Sequence, residues 1–338
     1  MDYKKVMGLL SVGVIILIAM IIFIGPGKII SALKTANIYY VLLAVIIQFI
    51  ILVLWNKRWS IICDSLDIPH SQLSLFAMTI VGLAINDLTP SGRSGGEPVR
   101  AYLLTKSSSV GFKETFATVM GDKLFDMLPF MILAIFAVGY LMLYLHLNST
   151  LFSILLIALV LFILLLVFVI YISINEEFGL RTIQWVFRVA RRFTTRDLIK
   201  YEKKAVSSLI GFQKSLKYLM KDRKVLAQAT VISFVVWFLK LFRVYVVFLA
   251  FGQTVSIGMI ASVFLVSSLI GVIPALPGGL GSIDGVMILL YSMAGVSASI
   301  STAATLVERM ISLWMVIIMG VILLPFYGKD VLDQVEMD

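Results

Sequence analysis

Apolar residues run almost unbroken over six stretches: Val6–Gly25, Ile38–Trp55, Met127–Leu145, Leu151–Ser173, Val225–Phe251 and Met310–Pro325. A helix that crosses the hydrocarbon of a bilayer needs ~20 mostly apolar residues, so each stretch predicts a transmembrane span. The last reaches that length only if its helix begins before Glu308. Two shorter apolar segments, Leu73–Leu88 and Ile257–Ile273, each end in a cluster of proline and glycine and are followed by a second short helix, Pro98–Thr105 and Gly285–Ala294. Segments of ~16 residues broken in this way fit re-entrant hairpins better than full crossings. The pattern predicts an all-α integral membrane protein, with about six full spans and two re-entrant helical hairpins in a single membrane domain over residues 1–338.

Composition agrees: 60% of the 338 residues are hydrophobic and the mean hydropathy is +1.04, too apolar for the exterior of a soluble domain. Charge then orients the chain, since Lys and Arg collect on the cytoplasmic side. Lys4 and Lys5 place the N-terminus inside, on a retained signal-anchor helix because "FIGPGK" is a poor cleavage site. Lys57 and Arg58 place the end of the second span inside, and the uncharged loop "HLNST" lies outside. Asn175–Lys224 carries thirteen cations against five acids, nearly the whole net charge of +9, and is read as cytoplasmic, in a multi-pass protein of the plasma membrane. Arg181, Arg188 and Arg192 interleave there with Ile183, Val186, Phe187 and Val189, as on a helix lying against an anionic inner leaflet, so 176–224 is expected to meet lipid and not nucleic acid. Cys63 is the single cysteine and His70 and His146 the only histidines, which predicts no metal site, no catalytic Ser-His-Asp set and no cofactor.

The chain also repeats. Pro90 precedes Glu97 by seven residues, and Pro277 precedes Asp284 by seven. The intervals hold Gly92, Gly95 and Gly96 in one case and Gly278, Gly279 and Gly281 in the other. Downstream lie two acid–base doublets, Asp122–Lys123 and Glu308–Arg309, and upstream lie Lys57–Arg58 and Arg243. The halves are 37–145 and 225–326, joined by a connecting helix and basic loop over 151–224. Ile38–Trp55 runs inward and Val225–Phe251 outward, so the repeat is inverted. Paired broken segments at matching positions mark the binding site in transporters of that kind.

Several charges sit where charge is costly. Arg93 and Arg100 flank the helix start at Pro98, where they either grip an anionic headgroup or pair with Glu97 and Asp87. Glu97 and Asp284 each precede a short helix; capping accounts for Asp284, while Glu97 is left open. Lys240 and Arg243, one turn apart within a span, are candidates for a lipid phosphate. Asp122, Lys123, Asp126, Asp284, Glu308 and Arg309 are expected to pair across the interface between halves and line a polar cavity. Trp55, Trp59, Trp237 and Trp314 are read as packing or interface residues.

"NDLTPSGRSGGEPVRAYLL", "GDKLFD", "LPGGLGSIDG" and "LVERMISLWMVIIMG" resemble the transmembrane, flippase-domain region of the lysylphosphatidylglycerol synthase family, over roughly residues 5–328. The resemblance implies an all-helical lipid-binding domain with re-entrant segments that moves lipids between leaflets. It implies charged motif positions at Glu97, Arg100, Asp122, Asp284, Glu308 and Arg309. Synthase activity is not expected, because only "YGKDVLDQVEMD" follows Phe326 and no aminoacyl-transferase domain is seen; no catalytic residue is assigned. The expected function is a translocase or lipid-binding transporter for an anionic, aminoacylated or glycosylated lipid; the alternative is a membrane enzyme or accessory subunit that modifies a headgroup. A separate glycosyltransferase or synthetase is a candidate partner, and a homo-oligomer a candidate assembly.

Overall fold

The computed structural model describes Ile22 and residues 26–89, 95–145, 149–191, 199–219, 221–271 and 276–327. Among them there is no strand. The helices are α1 (Pro26–Lys34), α2 (Ile38–Ser65), α3 (Gln72–Leu88), α4 (Gly96–Ser108), α5 (Phe112–Tyr144), α6 (Ser149–Ile174), α7 (Glu176–Ala190), α8 (Ile199–Leu219), α9 (Arg223–Ala250), α10 (Ile257–Ile270), α11 (Ser282–Met293), α12 (Ala298–Arg309) and α13 (Met315–Tyr327). A π-helical turn, Met310–Trp314, joins α12 to α13.

Five helical segments are long and apolar enough to cross a membrane: Ile38–Ser65, Phe112–Tyr144, Phe152–Ile174, Arg223–Ala250 and Ala298–Phe326. The expected first span, Val6–Gly25, lies outside the described residues apart from Ile22. The span expected at Met310 begins at Ala298, which supplies its missing length. That expected at Met127 begins at Phe112, because its first four turns are buried by protein at Thr115, Thr118 and Asp122 and need no apolar run. Many lipid-length side chains face outward, among them Tyr39, Phe136, Leu143, Leu161 and Phe238. A surface of that kind requires hydrocarbon as its solvent.

Helix starts are set by local chemistry. Asn37 Oδ1 accepts from the Tyr39 amide, Asp222 from those of Lys224 and Val225, and Asn175 from that of Phe178. Each satisfies an amide that the first turn leaves without a partner. The interior is organised by the long helices α2 and α9, whose buried residues form one hydrophobic cluster with α5, α10 and α11. The short pairs α3–α4 and α10–α11 pack against this frame. Gly82 and Gly96 allow α3 and α4 to approach: a Cβ on Gly96 would stand 1.9 Å from the Gly82 carbonyl oxygen.

Candidate functional site

The site grows from the contact between α2 and α9. Arg58 on α2 donates from Nη1 to Ser233 Oγ on α9 at 2.9 Å, and Arg243 on α9 donates from Nη1 to Gln48 Oε1 on α2. Ser233 lies ten residues before Arg243, and Gln48 ten before Arg58. The two contacts are therefore reciprocal between the two antiparallel helices. At 1.5 Å per residue the two arginines stand ~15 Å apart along the helix pair.

Each arginine anchors an ion-pair cluster. Arg58, essentially unexposed, donates from Nε to Asp122 Oδ1 at 2.6 Å and from Nη1 to Asp126 Oδ1 at 3.2 Å. Asp122 Oδ2 accepts two bonds of 3.0 Å from Arg100, whose guanidinium stacks 4.0 Å from the centre of a Trp59 ring. Beside it Lys123 Nζ meets Glu97 Oε1 at 2.8 Å, and Asn86 ties the hairpin by donating to Glu97 Oε1 and accepting from the Gly96 amide. In the other cluster Arg243 Nη2 meets Glu308 Oε1 at 2.5 Å, and Arg309 Nε meets Asp284 Oδ1 at 2.8 Å. Asp284 Oδ2 also accepts from the Gly281 amide at 2.7 Å, while Arg309 Nη2 donates to the Gly278 carbonyl at 2.6 Å. Gly278, Gly279 and Gly281 have φ of 56°, 65° and 78°, a left-handed turn that a side chain would strain. Thus Arg58–Asp122 corresponds to Arg243–Glu308, and Lys123–Glu97 to Arg309–Asp284.

Between the clusters lies a cavity of about 170 Å³ walled by α2, α3, α5, α9, α10, α11 and the α12–α13 segment, room for several waters or a small polar group. Asp87, Lys123, Asp126, Lys240, Arg243, Glu308 and Arg309 reach it. Lys240 is sandwiched between indoles, its Nζ 3.8 Å from the Trp237 ring centre and 4.4 Å from that of Trp55. Both indoles are fixed by Asp126: Trp55 Nε1 donates to its carboxylate and Trp237 Nε1 to its carbonyl. Lys240 Nζ stands 3.9 Å from Asp126 Oδ1, the longest of the buried ion pairs described. Groups this deep are costly unless paired. The clusters supply that pairing, and Lys240 is held at the wall by the two indoles and Asp126.

The predicted site residues are largely brought together, with corrections. The expected pairing across halves applies to Asp126–Lys240; Asp122, Lys123, Glu308 and Arg309 pair within their own halves, because each doublet reaches the neighbouring arginine or hairpin carboxylate first. Arg100 is not poised at an open anion site, since Asp122 and Trp59 occupy its guanidinium. Arg58, read from the sequence only as a topology marker, is buried at the centre of a cluster. Trp55, Trp59 and Trp237 are cation partners as well as packing residues. Gln48, Asn86 and Ser233 were not anticipated; the ten-residue offset shared by Gln48–Arg58 and Ser233–Arg243 is the signal that could have found the first and third. Pro90 and Arg93 lie outside the described residues. His70 sits away from the cavity, against Ser60 and the Ile68 carbonyl.

Fold and site together define a multi-pass helical membrane protein with charged groups gathered around an internal cavity. Residues 9–320 match the family described as "Lysylphosphatidylglycerol synthase TM region", and the chain belongs to that family. It is 43% identical over 326 residues to a UPF0104 membrane protein of Methanothermobacter thermautotrophicus, with 96% of each chain covered. It is 27% identical to UPF0104 membrane proteins of Pyrococcus horikoshii, over 93% of this chain and 95% of that one, and of Methanocaldococcus jannaschii, over 96% and 95%.

Proposed function

We propose that the protein is a lipid translocase of the plasma membrane, in which 37–145 and 225–326 are inversely related halves. On this reading the polar headgroup of an anionic, aminoacylated or glycosylated lipid passes through the cavity between them while its tails stay in hydrocarbon. The observation that carries the reading is the reciprocal anchoring of two ion-pair clusters on α2 and α9 with a hydrated-size cavity between. If the pseudo-axis lies at mid-membrane, each arginine is ~7–8 Å from it, well inside the ~30 Å hydrocarbon layer. A headgroup is the membrane's own polar ligand that can reach such depth. Lys240 is its first contact: held between the Trp55 and Trp237 indoles beside Asp126, it presents its ammonium at the cavity wall. The N-terminus and the 175–224 loop face the cytoplasm, with α7 and α8 lying on the anionic inner leaflet.

Native mass spectrometry of gently purified protein tests the binding step. Wild type is expected to retain a phosphate-bearing lipid and Lys240→Met to lose most of it. Equal retention by both clears Lys240 of the role.

A further inference from the structure

The two halves match in their ion pairs but differ in chemistry. In 225–326 the hairpin carboxylate pairs with an arginine: Asp284 Oδ2 accepts from the Gly281 amide, and Oδ1, which like Glu97 Oε2 has no hydrogen-bond partner, stands 2.8 Å from Arg309 Nε. Arginine does not give up its proton in proteins, so this pair stays charged. In 37–145 the same place holds Glu97 and a lysine, which does exchange its proton in buried sites. Glu97 is 4% exposed; its Oε1 takes Lys123 and Asn86, and its Oε2 has no hydrogen-bond partner. Beside it is a void of about 50 Å³, lined by Glu97, Lys123 and Asp126, and Lys123 and Asp126 also line the central cavity. Lys123, whose side chain is 20% exposed, therefore reaches both spaces.

We propose that Glu97 and Lys123 are a proton-exchange site that couples lipid movement to a proton gradient; this rests on the translocase reading above. The Lys123 ammonium passes its proton to Glu97, leaving a neutral amine and a carboxylic acid. The amine takes a proton from water on one side of the membrane, and the acid releases one to the other. The pair returns to ammonium and carboxylate with one proton moved. The groups facing it are Arg58 from α2, Asp87 from α3, Arg100 from α4, Asp122 and Asp126 from α5 and, across the central cavity, Lys240 and Arg243 from α9 and Glu308 and Arg309 from α12. Arg58 and Arg100 are engaged by Asp122, which leaves Lys123 as the near counter-charge of Glu97.

The test uses the full chain in phosphatidylcholine–phosphatidylglycerol vesicles, with a fluorescent phosphatidylglycerol as probe and dithionite quenching to read its leaflet ratio at steady state. Under an imposed pH gradient wild type is expected to bias that ratio, up to about tenfold per pH unit, the limit for one proton per lipid. Lys123→Arg keeps the ion pair but not the exchange, and is expected to leave the ratio unbiased; a steady-state ratio does not depend on how fast a variant works. A wild type that equilibrates lipid with no gradient-dependent bias, or a Lys123→Arg protein as biased as wild type, overturns the proposal while the translocase reading stands. Where no lipid moves at all, that reading falls, and the site is judged by infrared difference titration of the purified protein. A protonated-carboxyl band present in wild type and absent in Glu97→Gln supports the exchange site; identical spectra overturn it.

Discussion

A charge left alone in a low-dielectric interior is the most expensive thing a single substitution can create, and Arg243 and Glu308 are 3% and 2% exposed. Arg243→Leu strands Glu308 and is expected to cost about 3–5 kcal/mol. Arg243→Leu/Glu308→Leu removes both charges and is expected to recover more than half of that loss in denaturant unfolding in detergent. A double variant no more stable than the single would mean that the pair does not carry the local energetics. Gly96→Ala drives a methyl group into the Gly82 carbonyl, which is backbone and cannot turn aside; a loss of at least about 1–3 kcal/mol is expected. Gly139→Ala meets nothing within 4 Å and should be neutral or stabilising by up to about 1 kcal/mol. Similar effects of the two substitutions, in the same unfolding measurement, would remove close approach as the reason for Gly96. At this scale the sequence shows the doublets and glycines clearly, because they repeat at fixed spacing. Arg58 is hidden: beside Lys57 it reads as an interfacial cation, and only the partners brought by α5 and α9 reveal otherwise. Trp55 and Trp237 are hidden for the same reason, since a tryptophan ring over a lysine has no local sequence mark.

Between elements, the register of α2 against α9 is set by Gln48–Arg243 and Arg58–Ser233. One turn beyond Arg243, the same antiparallel register places Val247 opposite Ala44, both fully buried. Cysteines at 44 and 247, with Cys63 replaced by serine, are expected to cross-link under mild oxidation, as read by peptide mass spectrometry. Cysteines at 44 and 236 are displaced by eleven residues, ~16 Å along α9, and should not. Cross-linking of the second pair instead would refute the register and with it the reciprocal contacts. The lengths of most elements were legible because a bilayer enforces apolar runs. The start of α5 was not, since Phe112–Asp126 is half polar and becomes buried through α2, α4, α8 and α9. The π-helical turn Met310–Trp314 was equally silent. It follows Glu308 and Arg309, and π turns recur at functional sites.

At the scale of the molecule, and among the described residues, six cations (Arg58, Arg100, Lys123, Lys240, Arg243 and Arg309) stand against the carboxylates of Glu97, Asp122, Asp126, Asp284 and Glu308, with Asp87 also on the cavity wall. Near-neutrality lowers the cost of keeping these groups in a membrane, and on the proposed reading an incoming anionic head exchanges with a carboxylate already present. The central claim is that a lipid head traverses this interior, and the most direct measurement is transbilayer movement of fluorescent lipids in vesicles with and without the protein. The account predicts that the wild-type protein accelerates movement of at least one phosphate-bearing lipid more than tenfold over protein-free vesicles, and that Lys240→Met removes most of the acceleration. Movement no faster than in protein-free vesicles, for phospholipids and polyprenyl-phosphate lipids alike, would contradict it.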